Sequence, residues 1–280
     1  MITFVSSFSA PFTTLASGAY SLAHFADGEP AYRLSTVVKD EPVRLIASVT
    51  ADPASFFELL SLHQLLQDGG APSIQIVIPY LCFSRLDKRT KTGEARLGIM
   101  VARQIKATKA HLVVLDVHSP RILRALGQRA EEITAIPLLA KSIGDSGPVD
   151  VVVAPDKGAR DRAKRFADAL GSSPRLAFIS KKRPAANVAK ATRLVGDVQG
   201  SRCVIVDDMI DTGGTIAEAV RLLRAHGSAS IRIAATHGIF SAGAREKLAA
   251  LPVEQIIVTN SLPQTPHQRI RVVDATTLLS

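Results

Sequence analysis

Short apolar runs rich in β-branched residues recur along the chain, separated by segments with apolar residues at helical spacing. The clearest runs are Val43–Ser48, Ser73–Ile78, Leu112–Leu115, Val149–Ala154, Cys203–Val206, Ile231–Ala235 and Gln255–Val258. Most are apolar almost throughout rather than alternating, the pattern of strands covered on both faces. The helical segments are Phe56–Gln67 with Gly69 and Gly70 as a stop, Ala95–Thr108, Ala159–Leu170 before Gly171, and Ile216–Ala225 before Gly227. This alternation predicts an α/β fold of mainly parallel sheets flanked by helices.

The pattern also repeats. SIQIVIPYLCFSR followed later by HLVVLDVHS is similar to VDVVVAPDKGARDR followed by SRCVIVDDMIDTGG. Each half has a strand running into proline and a basic loop, then a later strand running into an acidic loop. Two tandem domains of similar design are predicted, 1–143 and 144–280, joined near the Gly- and Ser-containing stretch Ser142–Gly147. A chain of 280 residues, 46% of them hydrophobic, is long enough for two such cores.

Charge narrows the partners. A formal net charge of +9 favours nucleic acid, anionic membranes or small phosphorylated substrates. Only Phe and Tyr supply aromatic rings, 5% of the chain, so base-stacking platforms are scarce and no nucleic-acid partner is expected. No apolar run approaches the roughly 18 residues of a membrane span, and no membrane partner is expected. The N-terminal MITFVSSFSAPF, broken by serines and Pro11 and lacking Lys or Arg, is a poor signal peptide. The expectation is a cytoplasmic protein. Cys82 and Cys203, the only cysteines, lie in or beside apolar runs and read as free thiols rather than a disulfide or zinc site.

The chemistry concentrates in CVIVDDMIDTGGTI, Cys203–Ile216. Ligands of parallel α/β sheets collect outside the carboxyl ends of strands. Asp207 and Asp208 come directly after the apolar run, and Thr212, Gly213, Gly214 and Thr215 lead into the next helix. Glycines permit a tight turn with backbone N–H groups aimed at an oxygen-rich anion, and a helix N-terminus adds partial positive charge. The alternative is a plain strand-turn-helix capped by an acid, but a cap needs one acid and this loop, with Asp211, has three. No G-x-x-x-x-G-K-[ST] occurs, which excludes the ATPase-type phosphate loop.

VIVDDMIDTGGTI resembles the phosphoribosyl-pyrophosphate (PRPP) signature shared by type I phosphoribosyltransferases and PRPP synthases. The resemblance implies that Asp211, Thr212, Gly213, Gly214 and Thr215 surround the 5-phosphate of ribose 5-phosphate while Asp207 and Asp208 lie along its hydroxyls. Other segments resemble the ribose-phosphate pyrophosphokinase (PRPP synthase) family in particular, with a length similar to its compact archaeal-like type. Pro79–Glu94 is similar to the segment that binds ATP, which implies that Arg85 contacts the nucleotide while Asp87 and Lys88 shape the loop. Leu86 and Ala95–Gly98 depart from the family pattern there. LDVHS, Leu115–Ser119, implies that His118 faces the ATP phosphates and their Mg2+; APDKGAR, Ala154–Arg160, implies that Asp156 helps to hold the metal. A lone histidine or a turn aspartate is the plain reading of each. SKKRPAAN, Ser180–Asn187, is similar to the catalytic loop, with Lys181 and Arg183 as its Lys-x-Arg pair. THGIFS, Thr236–Ser241, matches a further segment in which His237 is structural. FADGE, Phe25–Glu29, resembles a turn that reaches the ATP site of a neighbouring subunit through Phe25, Asp27 and Glu29, which implies a homo-oligomer of at least two chains.

The resemblance therefore implies two phosphoribosyltransferase-like domains, ATP on the first and ribose 5-phosphate on the second. The implied activity is that of a Mg2+-dependent transferase of nucleotide biosynthesis, forming PRPP and AMP. Two alternatives stay open at this point: a phosphoribosyltransferase that consumes PRPP, and a non-catalytic subunit associated with a synthase.

Overall fold

Seven strands form in the first half of the chain: β1 (Ile2–Val5), β2 (Tyr20–His24), β3 (Pro30–Leu34), β4 (Val43–Ile46), β5 (Ile74–Ile78), β6 (His111–Leu115) and β7 (Ala130–Ile133). They belong to a computed structural model that describes residues 1–182 and 191–279. Strands β1, β4, β5, β6 and β7 lie side by side in that order, all parallel. The two-residue period of a strand sends Leu45, Ile76, Ile78, Leu112 and Val114 to one face. There they meet Leu59, Leu62 and Leu66 of α1 (Pro53–Asp68), Val101 and Ile105 of α2 (Leu97–Ala107), and Ile122 of α3 (Pro120–Leu126). Each crossover moves the chain one strand in the same direction, so right-handed connections place all three helices on one side. The opposite face is covered differently. Ile46 and Val77 pack there with Phe12 of the helical segment Ser7–Leu15 and Leu279 of the last helix, Thr276–Leu279.

Strands β2 and β3 form a separate antiparallel hairpin. Its base is tied to α1 through Glu58, which is buried and accepts hydrogen bonds from the Tyr20 hydroxyl (2.6 Å), the Ser7 hydroxyl (2.6 Å) and the Ser7 N–H (3.0 Å). Burial first, and then the Glu58 carboxylate, push the Tyr20 phenol above its usual range.

The second sheet has seven strands: β8 (Val151–Ala154), β9 (Arg175–Lys182), β10 (Ala191–Val195), β11 (Arg202–Ile210), β12 (Ser230–Gly238), β13 (Gln255–Thr259) and β14 (Ile270–Val273). Their spatial order is β10-β9-β8-β11-β12-β13-β14, with only β10 antiparallel to its neighbour. The chain first moves outward from β8 to β9 and β10, then returns to the other side of β8 as β11. That reversal makes the carboxyl ends of β8 and β11 a topological switch point, where the connecting loops splay apart and leave room for a ligand. Helices α4 (Ile136–Asp145) and α5 (Arg160–Leu170) pack against each other on one side, and α6 (Gly214–Ala225) and α7 (Ala244–Ala249) cover the other.

The compact units are Met1–Thr134 with the C-terminal residues from Thr276, and Ala135–Ala275. Helix α4, expected with the first half, thus packs in the second. Its buried Ile136, Leu139, Ala140 and Ile143 seat it there, near β12, β13 and β14. The Gly- and Ser-containing stretch that resembles a linker in sequence is the end of this helix. Arg232 of β12, 4% exposed, donates to the carbonyls of Ile143 (2.8 Å), Gly147 (3.1 Å) and Pro148. A buried guanidinium thus gathers one carbonyl of the last helical turn and two from the residues just after it.

Removing that clamp takes three hydrogen bonds away, although the Ile143 carbonyl keeps the one from the Ser146 N–H. Arg232→Met is expected to destabilise the protein by about 2–4 kcal/mol in urea unfolding. An unchanged midpoint and slope would show that the clamp carries no stability.

Candidate active site

Strand β11 continues through the acidic pair. Asp207 pairs with Ala235, Met209 with His237 and Ile210 with Gly238, so Asp207 and Asp208 belong to the strand and not to a loop after Val206, as the sequence suggests. The reason lies in β12, which runs equally far and offers ladder partners to residues of any polarity. Asp208 is buried and Asp207 half-buried. The Asp208 N–H donates to Asp207 Oδ1 at 2.9 Å. On the adjacent strand end, Asp156 follows β8, and its Oδ1 accepts from the N–H groups of Gly158 (2.8 Å) and Ala159 (3.1 Å). The turn reading of Asp156 is therefore realised through one of its oxygens. Lost hydration holds the Asp207 carboxyl well above the ordinary carboxylate range, and the charges of Asp208 and then Asp156 add to the effect. Three carboxylates thus share the switch point.

The turn Asp211–Thr215 follows at once. Asp211 accepts a short hydrogen bond from the Ser241 hydroxyl, which ties the loop to the segment after β12. Gly213 has φ +69°, and a Cβ there would lie 2.9–3.1 Å from the Leu248 side chain, so both conformation and packing require glycine. At Gly214 the nearest atom to such a Cβ is Thr212 Oγ1, 3.8 Å away, and packing alone does not require glycine. Helix α6 starts at Gly214 with no side-chain cap, which leaves its first N–H groups and its positive end directed at the loop. Thr212 is exposed and Thr215 half-buried beside them. His237 is buried with Nδ1 2.9 Å from the Ser261 hydroxyl, the structural placement expected of it.

In the first unit, Arg85 is exposed on the loop after β5, and His118 is exposed between β6 and α3. Asp87 joins their two loops. Its Oδ2 accepts from the Ser119 hydroxyl at 2.6 Å and from Arg121 at 3.2 Å, and Ser119 caps the first turn of α3. Burial pushes the Asp87 carboxyl up, but the hydrogen bonds from Ser119 and Arg121, with the Arg121 and Lys88 charges, outweigh it and hold the group below its usual range. Asp87 is thus a brace between loops. Ser119-Pro120 is a helix-start signal in sequence, while Arg121 as its ionic partner has no local signature. Within Ala95–Gly98, Gly98 is packed tightly. A Cβ at Gly98 would sit 2.4 Å from the Phe83 carbonyl, and the Gly98 N–H donates to the Leu86 carbonyl at 3.2 Å. Glycine lets α2 abut the loop that carries Arg85.

The hairpin tip is held by its own turn. Phe25 N–H donates to the Glu29 carbonyl at 2.9 Å, and Asp27 Oδ1 accepts from the Glu29 N–H at 3.1 Å. The Phe25 ring stands 61% exposed. Lys181 lies on β9 opposite Thr192; its side chain, and Arg183 altogether, lie outside the described residues. His118 belongs to the first unit and Asp156 to the second. Among the described residues, no group of three or more His, Cys, Asp and Glu side chains is arranged to hold a metal ion. No described helix is long and apolar enough to cross a membrane.

Comparison with known proteins agrees with this layout. Residues 125–261 match the phosphoribosyl transferase domain, and residues 12–108 match the N-terminal domain of ribose phosphate pyrophosphokinase. A ribose-phosphate pyrophosphokinase of Caldanaerobacter subterraneus subsp. tengcongensis is 36% identical over 250 residues, 88% of this chain and 78% of that protein. One from Pyrococcus furiosus is 36% identical over 251 residues, 89% of this chain and 88% of that protein. The crystal structure of phosphoribosylpyrophosphate synthetase from Mycobacterium smegmatis superposes with a TM-score of 0.88 at 33% identity, covering 99% of this chain and 95% of that one. A two-unit α/β protein with an acidic strand end beside a glycine turn that opens a helix is thus defined by its own geometry. The chain belongs to the ribose-phosphate pyrophosphokinase family.

The Asp87 brace has a pH signature. A folded pKa below the ordinary value of about 3.9 adds stability above that value and loses it as pH falls through the folded one. Asp87→Asn is expected to lower the thermal midpoint at neutral pH, with the gap to the parent closing at acid pH. A gap of equal size at both would remove the ionic part of the brace.

Proposed function

We propose that this chain transfers the pyrophosphoryl group of ATP to the 1-hydroxyl of ribose 5-phosphate, giving PRPP and AMP. The observation that carries the reading is the switch point of the second sheet. There, acids on β11 and an uncapped helix start at Gly214 stand next to each other, in a chain whose relatives are named ribose-phosphate pyrophosphokinases. The N–H groups around Gly213–Thr215 receive the 5-phosphate, and Asp207 and Asp208 accept hydrogen bonds from the ribose hydroxyls. The 1-hydroxyl oxygen forms a bond to the β-phosphorus, the bond from that phosphorus to the α,β-bridging oxygen breaks, and the hydroxyl proton passes to solvent. Positioning and charge neutralisation are the main demands of such a transfer. Arg85 and His118 serve the ATP phosphates from the first unit, with Asp87 holding their loops together. Lys181 and Arg183 supply the cationic pair for the transferring group.

Mg2+ fits the chemistry of the donors. Asp156 offers hard carboxylate oxygens at the end of β8, the donor type this ion takes. When bound, the ion would neutralise phosphate charge; Asp156 would help to hold it, and His118 would face it from the ATP side. The exposed Phe25 supports an assembly of at least two copies in which the hairpin tip reaches a neighbour's ATP site, with Phe25 on the adenine and Asp27 and Glu29 hydrogen-bonding it.

The test is direct. Purified protein with ATP, Mg2+ and ribose 5-phosphate should give AMP and PRPP in equal amounts by phosphorus NMR. Absence of AMP coupled to PRPP would sink the proposal, and consumption of added PRPP with a nucleobase would point to a phosphoribosyltransferase instead. Lys181→Ala is expected to lower kcat roughly 10²–10³-fold with little change in the KM for ribose 5-phosphate. An unchanged kcat would remove Lys181 from the mechanism.

A further inference from the structure

Glu58 is a carboxylate on the face of α1 that otherwise sends leucines inward. Leu59, Leu62 and Leu66 enter the core from the same helix, and Glu58 itself is 1% exposed. Burying a charge is costly unless donors replace its water. The donors to Glu58 are Ser7 and Tyr20, 51 and 38 residues away along the chain. The plain use of such a group is to close the segment between β1 and β2 against α1.

The hairpin gives the bond a second consequence. Tyr20 is the first residue of β2; beyond it every residue of β2 is exposed, and no residue of β3 is buried. Among the described residues, the bond from the Tyr20 hydroxyl to Glu58 is the one hydrogen bond that leaves β2 or β3 for the body of the unit. The remaining hold is the packing of Tyr20, Tyr32 and Leu34 against the core. Even this is incomplete, because an open groove of about 410 Å³ lies between Tyr32 and α1 at Leu60 and Gln64. Burial, and then Glu58, keep the Tyr20 phenol protonated far above neutral pH, so it stays a donor. Phe25 stands five residues beyond Tyr20, about 17 Å away at the rise of an extended strand. Over that arm a tilt of about 4° at the base moves the tip by about 1 Å. Displacements of that size are enough to spoil the placing of a substrate.

We propose that Glu58 is a positioning residue for ATP: through the Tyr20 hydroxyl it fixes the angle of the hairpin, and so where Phe25 meets the adenine, without touching the nucleotide. This rests on the reading that the hairpin tip serves a neighbour's ATP site.

Tyr20→Phe removes one hydroxyl and leaves Glu58 its two bonds from Ser7. In the full-length protein it is expected to raise the KM for ATP roughly tenfold, as for the loss of one hydrogen bond to a charged group, with kcat and the KM for ribose 5-phosphate within about twofold of the parent. Glu58→Gln, which keeps an acceptor for the phenol, should give a smaller rise. In a Phe25→Ala background Tyr20→Phe should add nothing, since both changes act through the tip. The chain has no Trp, so Leu22→Trp reports on the hairpin alone, and its fluorescence anisotropy should decay further when Tyr20→Phe is added. An unchanged KM for ATP, an equal rise in both KM values, or a loss confined to kcat would overturn the proposal and leave the reaction in place. So would additive effects of Tyr20→Phe and Phe25→Ala, or an anisotropy decay that stays the same. A parent protein that forms no PRPP would overturn the underlying reading, and the proposal with it.

Discussion

Like charges in little water are the constraint around which the second unit is arranged. Asp156, Asp207 and Asp208 meet at the carboxyl ends of two adjacent parallel strands. Burial first, and then the charges of Asp208 and Asp156, disfavour the ionised form of Asp207. The fold contains the repulsion by giving single oxygens to nearby N–H groups, at Asp208 for Asp207 and at Gly158 and Ala159 for Asp156. It also moves the third acid of the loop out of the cluster, since Asp211 is held by Ser241. What remains is a negative strand end beside the positive start of α6. A ligand with hydroxyls or a cation at one end and a phosphate at the other satisfies both.

The first unit meets a different problem. Its strands follow one another across the sheet without reversal, so no crevice arises from topology. The loops after β5 and β6 must instead be shaped by their own contacts. Asp87 does this from a buried position, with Ser119 and Arg121 on the far loop, and Gly98 lets α2 close against the same region. Arg85 and His118 are thus presented by bracing, whereas Asp207 and Asp208 are presented by strand order.

The parts of the fold legible in the sequence are those buried on both faces. VRLI, IQIVI, VVVA and IRIAA read as central strands because no polar side was needed. Edge strands were not legible: β7 (AEEI) carries two glutamates, and β10 and β14 carry Arg193 and Arg271, because an edge has solvent on one side. The turn that opens α6 was legible because the positive φ of Gly213 calls for glycine. Asp87 shows the limit. Its partners lie 32 and 34 residues away, and no local pattern encodes a contact made by two loops at the ends of neighbouring strands. For the same reason the covering of the first sheet by residues from both chain ends, Phe12 and Leu279, had no signal in the periodicity.

The clamp of Arg232 on α4 bears on how the protein can be divided. A cut inside Ser142–Gly147, where composition suggests a hinge, would separate Ile143 from Gly147 and Pro148, although one guanidinium binds all three carbonyls. It would also strip the apolar face of α4 from the sheet that it covers. The compact unit begins at Ala135, before the helix. A fragment begun later would expose a buried arginine and a bare sheet face together, the combination that leads a severed domain to aggregate.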